Sequence, residues 1–118
     1  MQLQLMLFMK LPEGLRRRTN INSIYKKAIK LWGIDSQMSM VVEEASELIK
    51  AICKLRRTGV TAETVNNLAE EIADMEIMTE QLKIMFYLTE GVGKWKKHKI
   101  ERLSKLIKEA EKNNASCH

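Results

Sequence analysis

Apolar residues recur along most of the chain at the three-and-four spacing of an α-helix, with a possible short strand only at the very start. A first helix is expected from about Thr19 to Trp32. There Ile21, Ile24, Tyr25, Ala28, Ile29, Leu31 and Trp32 make a broad apolar face, and Gly33 is a natural stop. A second is expected from about Ser36, which can cap it, to Arg57, with Gly59 ending it. A third follows Thr61 as N-cap, with Glu63 in its first turn, and runs to about Leu88. A fourth runs from near Gly93 to about Lys112. Pro12-Glu13-Gly14 reads as a turn before the Arg16-Arg17-Arg18 run. Residues 1–18 are expected to be an N-terminal arm without an assigned role, residues 19–112 the helical domain, and residues 113–118 a disordered tail. Long helices on short connectors favour antiparallel neighbours, so the expected fold is all-α, an antiparallel bundle of about four helices.

The second and third helices carry apolar stripes that acids interrupt. Gln37, Val41, Glu44, Leu48, Ala51 and Leu55 form one stripe. Thr64, Leu68, Glu71, Met75, Met78, Leu82 and Met85 form the other. Glu44 and Glu71 fall inside these stripes, and Glu47 and Asp74 lie one turn on at their edges, each pair at the i,i+3 spacing that shares a helix face. A carboxylate taken out of water must be protonated, paired or bound to a cation. Four converging acids repel one another, and a hard divalent cation such as Mg²⁺ or Mn²⁺ resolves that repulsion through oxygen ligands. The plainer alternative is that these acids pair with Lys50, Lys54 and Lys83 on wet faces. Other metal and phosphate motifs fail. Neither His98 nor His118 follows an acid by three, as a Glu-x-x-His di-iron site requires. Gly91-Val92-Gly93-Lys94 lacks the spacing of a P-loop.

Composition narrows the class. The chain has 118 residues, enough for one domain. With eight Met and only 5% aromatics, its core must be aliphatic and Met-rich. No apolar run reaches the roughly 20 residues that span a bilayer. The opening MQLQLMLFMK has no basic start and no small-residue cleavage site after it, so secretion is not expected. Cys53 and Cys117 form no CxxC pair, and two unpaired thiols suit a reducing, cytoplasmic compartment. Charge is segregated: residues 1–40 carry net +5, residues 41–90 net −5 and residues 91–118 net +5. An acidic middle between basic ends suits a metal-bridged polyphosphate: carboxylates for the cation, ammonium and guanidinium groups for the phosphates. The ten acids of the middle segment weigh against nucleic acid as a partner.

Glu43-Glu44-x-x-Glu47 followed about two dozen residues later by Glu71-x-x-Asp74 resembles the signature of the MazG-like all-α nucleoside triphosphate pyrophosphohydrolases. Trp32 to Gln37 before the first acids, Glu70 before the second pair, and Lys96 to Leu103 downstream fit the same resemblance, which covers about residues 20–108. It implies a helix bundle that binds Mg²⁺, with Mn²⁺ as a substitute, through Glu44, Glu47, Glu71 and Asp74. It also implies hydrolysis of nucleoside triphosphates, dNTPs or non-standard ones, to monophosphate and pyrophosphate by a metal-activated water, as in nucleotide-pool sanitation. Glu43, Glu44 and Glu47 are the expected catalytic acids. Glu43 points about 100° away from Glu44 and is open to three roles: a group behind the ligands, a ligand to a second metal, or a base. Lys96, Lys99 and Arg102 are candidates for the phosphates, Trp32 and Gln37 for the base. Members of the group work as homodimers or homotetramers. The competing expectation is a non-catalytic helical interaction or regulatory protein that keeps the fold.

Overall fold

A computed structural model of the chain describes Lys10 and residues 12–116, with the side chains of Leu15, Arg16 and Thr19 outside that description. Most of the expected arm, residues 1–9 and 11, and the tail residues Cys117 and His118 lie outside the described residues. The described chain is all-helical: α1 spans Glu13–Trp32, α2 Ile34–Thr58, α3 Ala62–Met85 and α4 Thr89–Ser116. No strand occurs among the described residues, and none of their helices is long and apolar enough to cross a membrane.

Several boundaries differ from the sequence reading, each for a local reason. Pro12 is the N-cap of α1, so Pro12-Glu13-Gly14 opens a helix rather than making a separate turn, and the Arg16–Arg18 run belongs to α1. Pro suits a helix start because its fixed φ is already helical and it has no N–H to satisfy. The second helix begins at Ile34, not Ser36. Gly33 is its N-cap, and the Gln37 N–H donates to the Gly33 carbonyl at 3.1 Å. The third helix ends at Met85, and the fourth starts at Thr89 and encloses Gly91 and Gly93. It also continues to Ser116, through most of the expected tail.

Gly33 and Gly59 end α1 and α2 with φ of 88° and 93°. Their ψ values of 158° and 174° place them in a backbone region almost reserved for glycine. Each caps its helix, Gly33 N–H to Ile29 and Gly59 N–H to Leu55. Beyond Gly59, Thr61 and Thr64 form a reciprocal cap: the Thr64 N–H donates to Thr61 Oγ1 at 3.1 Å and the Thr61 N–H to Thr64 Oγ1 at 2.9 Å. The buried Thr64 hydroxyl also donates to the Gly59 carbonyl at 3.0 Å, tying the connector to the helix start.

This connector folds α2 and α3 into an antiparallel hairpin. Contacts at both ends fix its direction: Gln37 bonds to Gln81 at one end and Lys54 pairs with Glu63 at the other. α1 packs against both helices. The seam is the pair of stripes read from the sequence. No residue at positions 37, 41, 44, 48, 51 and 55 is exposed, nor any at 64, 68, 71, 75, 78, 82 and 85. The fully buried apolar residues among those described are few, Ala51, Met78 and Met85. The chain divides into two compact units, one ending at Met85 and one beginning at Phe86. α4 therefore stands as a unit of its own, with none of its residues buried.

Candidate metal centre

Helix period and hairpin pairing together make the acidic site. Glu44 sits mid-way along α2, with Glu71 and Asp74 mid-way along α3. One carboxylate oxygen from each of Glu44, Glu71 and Asp74 lies within 4.8 Å of the others, and all three side chains are half-buried. Glu47, half-buried one turn along α2, is not among the three acids whose oxygens meet at this distance, although its charge acts on Glu44 and Glu71. Glu43 and Glu70 are exposed.

Crowding is visible in proton affinity. Burial pushes the Glu44 carboxyl above the usual carboxylate range, and the charges of Asp74, Glu71, Glu43 and Glu47 push it the same way. Burial likewise raises Glu71, joined by Asp74, Glu47 and Glu70, with Lys50 the opposing influence. The lysines weighed as partners for these acids are mostly engaged elsewhere. Lys54 pairs with Glu63 at 3.5 Å and Lys83 with Glu80. Lys50 pairs with Glu47 at 3.3 Å. Among the described ion pairs none reaches Glu44, Glu71 or Asp74.

The donor set fits a hard cation. Three carboxylates with no His or Cys among them suit Mg²⁺ or Mn²⁺ and not Zn²⁺. In an octahedral Mg²⁺ shell neighbouring oxygens are about 3.0 Å apart and opposite ones about 4.2 Å, so the three carboxylates, within 4.8 Å of one another, would draw closer around a bound ion.

The other candidates are placed as follows. Gln37 is buried on the Glu44 stripe, its Nε2 donating to Gln81 Oε1 at 2.7 Å. Gln81, absent from the sequence reading, was legible only as the next position in the series 67, 74, 81 on α3. Trp32 ends α1 with 61% of its surface exposed. Lys96, Lys99 and Arg102 lie exposed on α4. On that helix the Lys99 ammonium sits 5.9 Å from the Trp95 ring centre, and His98 meets Trp95 edge-on.

No family model matches the chain, and no curated protein or solved structure does.

Proposed function

We propose that the chain is a MazG-like nucleoside triphosphate pyrophosphohydrolase, acting on dNTPs or non-standard triphosphates to form monophosphate and pyrophosphate. What carries the proposal is the convergence of Glu44, Glu71 and Asp74 from two helices without a lysine partner among the described ion pairs. A divalent cation would relieve the mutual repulsion that raises Glu44 and Glu71 and that no basic partner among the described ion pairs offsets.

Glu44, Glu47, Glu71 and Asp74 would hold Mg²⁺ or Mn²⁺. A bound divalent ion supplies charge neutralisation for the phosphate chain and an acidified water at neutral pH. Glu43, exposed on the next face of α2, is the candidate for a base that would accept a proton from such a water. Lys96, Lys99 and Arg102, exposed on α4, are the cations that the resemblance offers for the phosphates. Trp32 offers an exposed ring for stacking on the base. The Gln37 amide is committed to Gln81, so the proposal gives the base to Trp32.

A homo-oligomer is part of the same proposal. Met38, Val42, Ile49 and Ile52 follow an i, i+4, i+11, i+14 course on α2, turned about 90° from the acid-bearing stripe, and all are exposed. A second copy is the simplest cover for such a seam, since burying each side chain contributes about 1.5–3 kcal/mol.

The direct test is pyrophosphate release from a panel of ribo- and deoxyribonucleoside triphosphates with Mg²⁺, Mn²⁺ or EDTA. Metal-dependent release, lost in Asp74→Asn, supports the proposal. Absence of release from every triphosphate favours the non-catalytic interaction protein.

A further inference from the structure

Five large apolar side chains of α4 have no part in the proposed reaction. The helix belongs to a compact unit of its own and buries none of its residues. At 100° per residue, Trp95, Ile100, Leu103, Leu106 and Ile107 fall within an arc of about 140°, and all five are exposed. The polar side of the helix is strongly basic. Residues 94–108 hold seven Lys or Arg and one acid, Glu101. Among the described ion pairs one falls on this helix, Lys94 with Glu90 at 3.1 Å.

Charge decides what can cover this face. A second α4 would bring the same excess of positive charge against it, and like charges repel. Lys96 and Lys99 also lie inside the apolar arc, Lys99 with its ammonium 5.9 Å from the Trp95 ring centre. In a dry seam between helices those ammonium groups would be buried without partners. A nucleic acid would satisfy the cations through its phosphates but leave the Leu and Ile side chains in water. An anionic bilayer meets both demands. Aliphatic side chains enter the acyl boundary, a Trp ring sits at headgroup level, and lysine stems reach out to the phosphates.

We propose that α4 docks along the surface of an anionic lipid bilayer, with Trp95, Ile100, Leu103, Leu106 and Ile107 facing the acyl chains and the flanking cations on the lipid phosphates. The helix lies on the membrane and does not cross it, since no described helix is long and apolar enough to do so. Such docking stands whether or not the hairpin hydrolyses triphosphates.

The test is cosedimentation of the full chain with vesicles of phosphatidylcholine alone and of phosphatidylcholine with about one third phosphatidylserine. Binding is expected to be about tenfold or more tighter to the mixed vesicles and to weaken at high salt. Leu103→Gln with Leu106→Gln, which keeps the charge and a good helix former, should weaken it by about tenfold or more. Lys105→Gln with Lys108→Gln should weaken it by about fivefold to twentyfold. In a Trp32→Phe background, acyl chains carrying bromine should quench the remaining tryptophan, Trp95. If circular dichroism shows that the Leu variant loses helix, the Lys variant and the quenching still decide. Absence of binding to the mixed vesicles, binding that a helical Leu variant leaves unchanged, or an unquenched Trp95 overturns the proposal. A DNA duplex bound more tightly than the mixed vesicles also overturns it and marks α4 as a general binder of polyanions. So does a Leu variant that shifts sedimentation equilibrium toward monomer in a chain that ignores vesicles, which marks a seam between copies.

Discussion

Glu44 and Glu71 occupy the positions where a negative charge is most costly in this hairpin, inside its packing seam and facing other acids. Two measurements expose that cost. Glu44→Gln or Asp74→Asn is expected to abolish Mn²⁺ binding and turnover while raising the thermal midpoint in EDTA, because repulsion is removed with the charge. Circular dichroism with a metal titration checks both halves. The pH dependence follows from the same groups. Glu44 and Glu71 have folded proton affinities above the usual value of 4.5, so the folded state holds more protons than the unfolded chain between 4.5 and those raised values. Stability in EDTA should therefore be fullest below pH 4.5 in this contribution and fall as pH rises through the raised values. Urea midpoints across that range should show a decline that Glu44→Gln makes shallower. The positions of these acids were legible in the sequence, since i,i+3 spacing within a stripe is a local property. Their lack of lysine partners was not, because lysine stems reach several neighbours and only the fold selects one.

At the scale of the element, two devices hold the hairpin. Gly59 has backbone angles that a Cβ makes costly, so Gly59→Ala should destabilise by about 1–3 kcal/mol, read by denaturant unfolding. The Gln37–Gln81 bond is a buried polar pair in an apolar seam. Gln37→Leu alone should cost about 1–3 kcal/mol by leaving the Gln81 amide short of its partner. The double variant Gln37→Leu, Gln81→Leu should recover most of the loss, and a double-mutant cycle measures the coupling. Helix existence and facing were readable from periodicity, down to each position of both stripes. Ends were less so. Ser36 looked like a cap, yet Gly33, with its positive φ, lets α2 begin two residues sooner. The fourth helix was expected from near Gly93, yet α4 starts at Thr89 and runs through Gly91 and Gly93, as a helix tolerates a glycine at about 1 kcal/mol each.

At the scale of the whole molecule, the apolar surface left by the helices is the main feature. Beside the α2 seam, α3 exposes Val65 and Ile72, and α4 exposes Trp95, Ile100, Leu103, Leu106 and Ile107. Sedimentation equilibrium should find a dimer or tetramer, and Val42→Glu with Ile49→Glu should shift it toward monomer by placing charges in the proposed interface.

The chain by itself determined what depends on near neighbours: four helices, the stripes that pack, and the pairs Glu44 with Glu47 and Glu71 with Asp74, because the helical period sets each of these within a turn or two. Only the tertiary structure decided which turn of α2 faces which turn of α3. That register comes from the Thr61–Thr64 connector, the Gln37–Gln81 bond and the fit of the two stripes, all acting between residues far apart in sequence or in the short link between helices. It brings Glu44 of α2 to Glu71 and Asp74 of α3, so that acids from two helices meet in one cluster.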